Sequence, residues 1–101
     1  MQDFRNPKVW RKSHDLALAV YRATADYPES ERYGLVRQLR SAAVSLESNI
    51  AEGSSRGADS DFRRFLFMAP GSLSEVECQL ILSKDLPILA PELFERLGPG
   101  S

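Results

Sequence analysis

The sequence predicts an all-α protein, an antiparallel up-down four-helix bundle with three long helices and a short or truncated fourth. Three stretches repeat apolar residues at alternating spacings of three and four, which is the period of a helix with one buried side. Turn-forming residues separate these stretches, and neither strand-like alternation nor an internal repeat is present. We therefore expect a single helical bundle domain over residues 1–97, followed by a linker remnant, GPGS, at 98–101.

The first predicted helix begins at Asn6-Pro7, since asparagine caps helix N-termini and proline fits the first helical position. Pro28 ends this helix. Its apolar stripe consists of Val9, Ser13, Leu16, Val20, Ala23 and Tyr27, widened by Trp10, Ala17, Tyr21 and Thr24. A stripe of this breadth indicates a helix packed within a bundle.

The second helix is expected to begin near Tyr33-Gly34 and to end at Gly53, because glycine commonly stops a helix. Its buried positions are Val36, Leu39, Ala43, Leu46 and Ile50. These spacings again alternate between three and four.

The third helix is expected to begin at Asp59–Asp61, where acidic residues favour the positive end of the helix dipole. Its predicted buried positions are Phe62, Leu66, Ala69, Leu73, Val76, Leu80 and Ser83. Further apolar residues lie off this stripe and form a candidate oligomer face: Phe65, Phe67, Met68, Ile81 and Leu82. Pro70 predicts a kink near residues 66–70. After Pro91, the segment ELFERL predicts the first turn of a fourth helix.

Composition excludes several classes of protein. The net charge of −1 and the pI near 5.8 give no overall bias toward nucleic acid or anionic membranes. The single cysteine, Cys78, cannot form an internal disulfide, which indicates a reducing compartment. The start of the chain is charged and lacks a signal-peptide core, and no apolar run reaches the length of a membrane span. We expect a cytoplasmic protein with no membrane partner.

Five motifs occur in fixed order along the chain: FRNPKVW at 4–10, VYRATADYP at 20–28, YGLVRQLRSAAVSLESNIAEG at 33–53, DFRRFL at 61–66 and APGSLSE at 69–75. This pattern resembles that of the 23S rRNA intervening-sequence proteins, over roughly residues 4 to 86. The resemblance implies a four-helix bundle, homopentamers in some members and no established enzymatic activity. A related branch, the accessory protein of diversity-generating retroelements, forms a strongly basic pentamer that binds nucleic acid.

The chain departs from this family pattern at several positions. Glu47 stands where the family usually has proline, and Ala58 stands where a serine would cap the third helix. Pro70 is unusual within the helix, and most of the fourth helix is missing. A bundle without that helix exposes an apolar groove, so either partner subunits cover the groove or the chain is destabilised.

The stretch SNIAEGSSRG at 48–57 is interpreted as the elbow between the second and third helices. It lacks the lysine, the spacing and the preceding strand of a phosphate-binding loop. The candidate polar cluster at the elbow comprises Gln38, Asn49, Glu52 and Arg56. These residues either line a functional pocket or hold the helix ends together through an ion pair. The second reading is favoured, because structural ion pairs are the commoner cause of such clusters.

No catalytic or metal site is expected. His14 is the only histidine, and it has no cysteine or carboxylate partners at zinc-ligand spacing. A nucleophilic pair of His14 and Cys78 would lack a third, orienting group. We expect no cofactor and no small-molecule substrate.

Basic residues on the first two helices are candidate nucleic-acid contacts: Arg5, Lys8, Arg11, Lys12, Arg37 and Arg40. A ring of subunits would multiply such a patch, and binding to phosphates rises with the number of neutralised charges. An ordinary solvated face is the favoured alternative, since the overall pI is low. The sequence therefore predicts a non-catalytic homo-oligomer, a pentamer by resemblance, and binding of RNA or DNA as the alternative.

Overall fold

A computed structural model describes the backbone of residues 8–55 and 59–97, and the side chains of residues 8, 10–52 and 71–97. Its helices are α1 (Lys8–Thr24), α2 (Arg37–Ser55), α3 (Asp59–Asp85) and α4 (Pro91–Leu97). Before α2 come a 3-10 turn (Glu29–Glu31) and a π-helical segment (Arg32–Val36). The described ranges contain four α-helices and no strand, which confirms the predicted all-α bundle.

Side-chain contacts show that neighbouring helices run antiparallel. Between α2 and α3, Gln38 pairs with Gln79 and Ser45 pairs with Ser72, at 3.0 and 3.3 Å. Moving seven residues toward the C-terminus of α2, from Gln38 to Ser45, thus corresponds to moving seven residues toward the N-terminus of α3, from Gln79 to Ser72. Contacts between α1 and α2 also run in opposite directions, since Trp10 packs near Ile50 and Thr24 contacts Arg40. This arrangement is the up-down topology of a simple bundle.

The main core lies between α1, α2 and the second half of α3, with α4 closing one end. Its most deeply buried side chains are Val20, Leu39, Val76 and Leu80. A smaller cluster of Trp10, Leu46 and Ile50 lies toward the elbow. All five predicted core positions of α2 are buried, as are the last three predicted for α3: Val36, Leu39, Ala43, Leu46, Ile50, Val76, Leu80 and Ser83.

Three buried hydroxyl groups bond to the backbone of their own helix. Ser13, Thr24 and Ser83 donate to the carbonyl oxygens of Trp10, Val20 and Gln79, each at 2.7 Å. These hydrogen bonds explain how a polar residue occupies a core position without an unpaired donor.

The connection between α1 and α2 differs from its prediction. The first helix ends at Thr24 rather than at Pro28, and helical structure resumes at Glu29 rather than at Tyr33. Pro28 is extended, with φ −56° and ψ 144°, and it precedes the 3-10 turn. Because Pro28 adopts this extended conformation, it opens the following turn instead of stopping the helix before it.

The predicted ends of α2 and α3 have mixed outcomes. Gly53 does not stop α2, which continues to Ser55, a difference within the usual fraying of helix ends. The predicted start of α3 at Asp59 is confirmed. The α3 helix continues through Pro70 without interruption, and the kink expected at residues 66–70 stays a prediction. The Asn6-Pro7 cap lies outside the described residues.

The fourth helix is short, as predicted. α4 has seven residues against 27 in α3, which correspond to lengths of about 10 and 40 Å. Leu97 is buried, and Leu93 and Phe94 pack against the main core. Lys84 of α3 places its ammonium 4.6 Å from the centre of the Phe94 ring. Because α4 is so short, it covers only one end of the bundle.

Candidate functional site

An open groove of about 630 Å³ lies over the solvent-facing side of α2. We call it the α2 groove. Its floor and edges are formed by two tyrosines, three arginines, two valines and two serines: Tyr21, Arg32, Tyr33, Val36, Arg37, Arg40, Ser41, Val44 and Ser45. Arginine side chains in such a groove offer hydrogen-bond donors that suit the carboxylate or phosphate groups of a partner.

Arg40 connects the groove to α1. Its Nε donates to the hydroxyl of Thr24 at 2.9 Å, and its Nη2 donates to the carbonyl of Tyr21 at 3.2 Å. Its guanidinium lies 4.5 Å from the centre of the Tyr21 ring. Three interactions with one neighbouring helix make Arg40 a structural clamp between α1 and α2.

The other two arginines of the α2 groove, Arg32 and Arg37, are more accessible to a partner than Arg40. The side chain of Arg37 is exposed and has no hydrogen bond or ion pair to the residues that the structure describes. Arg32 forms an exposed ion pair with Glu29 at 3.3 Å, and its guanidinium lies 5.6 Å from the Tyr33 ring centre. Exposed ion pairs of this kind are weak, so the groove keeps a positive field.

The π-helical segment sets the position of Arg32 and Tyr33 in the groove. Within it, a Cβ added at Gly34 would lie 3.1 Å from Oε1 of Glu31, which is tighter than an ordinary contact. The carboxylate of Glu31 also accepts a long hydrogen bond from the backbone N–H of Leu35, at 3.5 Å. Gly34 therefore allows Glu31 to fold over the segment and cap it.

The predicted nucleic-acid contacts separate into two groups. Lys8, Arg11 and Lys12 are exposed on the first turns of α1, whereas Arg37 and Arg40 lie beside its far end. Lys12 and Thr24 are twelve residues apart, or about 18 Å along the helix. Arg5 lies outside the described residues. The structure does not join these side chains into one continuous patch.

The predicted polar cluster at the elbow is also divided. Gln38 bonds to Gln79 on α3 and is eleven residues, about 16 Å, from Asn49 along α2. Asn49 is half-buried and Glu52 is exposed, both near the end of α2. Arg56 lies outside the described residues. The structure thus places Gln38 in the contact between α2 and α3, away from the elbow.

The candidate oligomer face is described only in the second half of α3. Ile81 and Leu82 are 46% and 47% exposed, and Leu86, just after the helix, is 49% exposed. Three exposed carboxylates accompany them. We call this set the α3 outer face: Glu75, Glu77, Ile81, Leu82, Asp85 and Leu86. The side chains of Phe65, Phe67 and Met68 lie outside the described residues.

His14 and Cys78 do not form a pair. His14 contacts Glu47 of α2 through its Nδ1, and its ring stacks on Trp10 with centroids 4.9 Å apart. Cys78 is exposed on α3. The described residues contain no group of three or more potential metal ligands.

Tyr27 is a buried titratable residue of the main core. Burial raises the pKa of its phenol above the usual 10.0, and the neighbouring Ser83 hydroxyl offsets part of the rise. The phenol oxygen has no hydrogen bond of normal geometry in the described structure. Burial is therefore the dominant effect on this group.

The tyrosines of the groove were not singled out from the sequence as site residues, nor was Arg32. Tyr21 was assigned to the broad apolar stripe of α1, and Tyr33 to the start of α2. Tyr33 is in fact 76% exposed. The signal available in the sequence is the pair Arg32 and Tyr33 with Arg37 four positions after Tyr33.

The fold and these surfaces define a small helical bundle protein with two chemically distinct outer surfaces. The family model of the 23S rRNA-intervening sequence protein matches residues 5–99, and the chain belongs to this family. A comparison with curated proteins gave no match. No helix within residues 8–55 and 59–97 is both long and apolar enough to cross a membrane.

Proposed function

We propose that this protein is a non-catalytic helical bundle that self-associates into a homo-oligomer and acts through assembly or partner binding. The supporting observation is the run of exposed apolar side chains at Ile81, Leu82 and Leu86. Ile81 and Leu82 lie on the solvent-facing half of α3 and Leu86 follows the helix, and exposed apolar side chains of this size mark interaction surfaces. The resemblance to pentameric relatives favours a ring of five copies.

The proposal contains no catalytic step. His14 is the residue best suited to acid–base chemistry, and it is held between Glu47 and the Trp10 ring. A cytoplasmic location belongs to the same proposal, because the single cysteine offers no internal disulfide.

Light scattering coupled to size-exclusion chromatography tests self-association directly. We expect a mass several times that of one 11.3 kDa chain, decreasing on dilution. Sedimentation velocity over a concentration series provides an independent measurement. A mass of one chain at every concentration tested would exclude the proposal.

Nucleic-acid binding is the second candidate function, and it is favoured by the first turns of α1. Lys8, Arg11 and Lys12 are exposed and spaced by three and four residues, so they share one side of the helix. A ring would repeat this patch once per subunit. On duplex DNA, the slope of log affinity against log salt concentration becomes more negative by about 0.9 for each phosphate that the protein neutralises.

A fluorescence anisotropy titration with short RNA and DNA, repeated over a range of salt concentrations, tests this candidate. We expect a steep salt dependence that the triple variant K8E/R11E/K12E abolishes. Arg22→Glu is the matched control, because Arg22 is exposed at the other end of α1. Absence of binding at low salt, or equal binding by the triple variant, would exclude this function.

A further inference from the structure

We propose that the α2 groove of one copy receives the α3 outer face of the next copy, so that subunits join head to tail. This inference rests on the proposed self-association and assigns the two surfaces that form the contact. Each copy carries both surfaces, so every subunit would contribute one groove and one face.

The two surfaces carry opposite charge. The groove presents the guanidinium groups of Arg32 and Arg37, with Glu29 offsetting part of the charge. The α3 outer face presents three exposed carboxylates, those of Glu75, Glu77 and Asp85. The basic residue within this stretch, Lys84, places its ammonium over the Phe94 ring of α4. Complementary charge of this kind selects partners and fixes their register.

Both surfaces also carry exposed apolar side chains. Tyr21, Tyr33 and Val44 are exposed along the groove. Ile81, Leu82 and Leu86 are exposed on the α3 outer face, and each retains close to half of its surface. Tyrosine and arginine around a central aliphatic contact form the composition typical of protein interfaces.

The positions of the two surfaces determine the kind of assembly. α2 and α3 pack side by side, so their solvent-facing sides point in different directions around the bundle. A contact between two different surfaces is heterologous, and its repetition gives a closed ring or a filament rather than a two-fold dimer. A ring is the arrangement expected of a pentamer.

Charge reversal on each surface provides the test. The groove variant is R32E/R37E, and the face variant is E77R/D85R. Arg32, Arg37, Glu77 and Asp85 are all exposed, and Asp85→Arg adds a positive charge at the C-terminus of α3, which suits the helix dipole, so the fold should be retained.

Each variant alone is expected to self-associate at least about 100-fold more weakly than the wild type, because like charges then face each other. The combined variant R32E/R37E/E77R/D85R should recover the wild-type mass, because in a ring of any size each reversed groove then meets a reversed face. Lys12→Glu, an exposed change on α1 away from both surfaces, is the control and should assemble normally. Circular dichroism confirms folding, and R32A/R37A, which must also weaken assembly, replaces any variant that loses helicity.

The outcomes separate this inference from the proposed function. A monomeric wild type overturns both. An oligomeric wild type whose mass neither variant changes overturns only the head-to-tail contact, as does a combined variant R32E/R37E/E77R/D85R that keeps its helicity but fails to recover the wild-type mass. A groove variant that keeps its mass but loses binding to a single-stranded oligonucleotide would assign the groove to nucleic acid and overturn the inference.

Discussion

His14 and Glu47 join α1 to α2 on the side of the bundle near the elbow. Nδ1, at the edge of the His14 imidazole, contacts Oε2 of Glu47. The Trp10 ring stacks on the face of the same imidazole, with an interplanar angle of 12°. The two side chains are 37% and 21% exposed, so water reaches the contact. Glu47 is also the position where the resembling pattern usually has proline, a residue that could make no such contact.

A double-mutant cycle should measure coupling between these two side chains. We expect H14A, E47A and the double variant to give a coupling free energy of about 0.5–1 kcal/mol, since a partly exposed polar contact contributes only modestly. Urea denaturation of all four proteins supplies the free energies. A coupling of zero would show that the contact does not stabilise the fold.

Arg40 is predicted to stabilise the pairing of α1 with α2. We expect Arg40→Ala to lower the free energy of unfolding by about 1–2 kcal/mol, because two hydrogen bonds and the contact with the Tyr21 ring are lost. At a concentration where the wild type is dissociated, Arg37→Ala, on the same helix, is the matched control and should change stability by less than about 0.5 kcal/mol. Equal effects of the two substitutions in urea denaturation would contradict the assignment of Arg40 as a clamp.

Tyr27 should make the fold sensitive to alkaline pH. Its folded-state pKa is raised by burial, so the folded protein retains a proton that the unfolded chain loses above about pH 10. The unfolded state then binds fewer protons than the folded state. The contribution of Tyr27 to the free energy of unfolding therefore falls as pH rises from the pKa of the unfolded chain to the pKa of the folded protein.

Replacing Tyr27 with phenylalanine should remove this alkaline loss. Y27F should also change stability at neutral pH by less than about 1 kcal/mol, since the buried oxygen has no hydrogen bond of normal geometry. Thermal denaturation from pH 8 to about pH 11 supplies the comparison, and Tyr33→Phe, at an exposed tyrosine, is the control. The prediction fails if wild type and Y27F lose stability in parallel.

Two leucines two residues apart on α3 should have different roles. Leu80 is 1% exposed and Leu82 is 47% exposed. We expect Leu80→Ala to lower the free energy of unfolding by about 2–5 kcal/mol through a cavity in the core. Leu82→Ala should leave the monomer nearly as stable and weaken self-association instead.

The comparison requires denaturation at a concentration where the wild type is dissociated, together with light scattering where it is assembled. A large loss of stability in the dissociated Leu82→Ala protein would place Leu82 in the core. An unchanged mass would remove it from the proposed interface.

The helices and their buried sides follow from apolar spacing in the sequence, because burial of a helix surface demands that periodicity. Leu39 and Leu80 could be assigned to the core from spacing alone, and Pro91 correctly marked the start of α4. Helix ends were less accurate, since Pro28 and Gly53 permit more than one local conformation.

The contacts between helices could not be read from the sequence in the same way. Glu47 was noted as a departure from the family pattern, but its pairing with His14 depends on the register of α1 against α2. Arg40 was predicted as a nucleic-acid contact because charge is visible in a sequence, whereas its bonds to Thr24 and Tyr21 are not. The α2 groove likewise depends on how Arg32 and Tyr33 enter the helix.

That entry is the π-helical segment Arg32–Val36, whose hydrogen bonds each span one residue more than those of an α-helix. The segment therefore acts as a single-residue insertion accommodated inside a helix. Deleting one residue there would restore ordinary α-helical winding and rotate the preceding side chains by about 100° relative to α2. The groove edge formed by Arg32 and Tyr33 therefore depends on the number of residues in this segment. Insertion or deletion of a single residue there creates or removes the edge, while α2 keeps its packing.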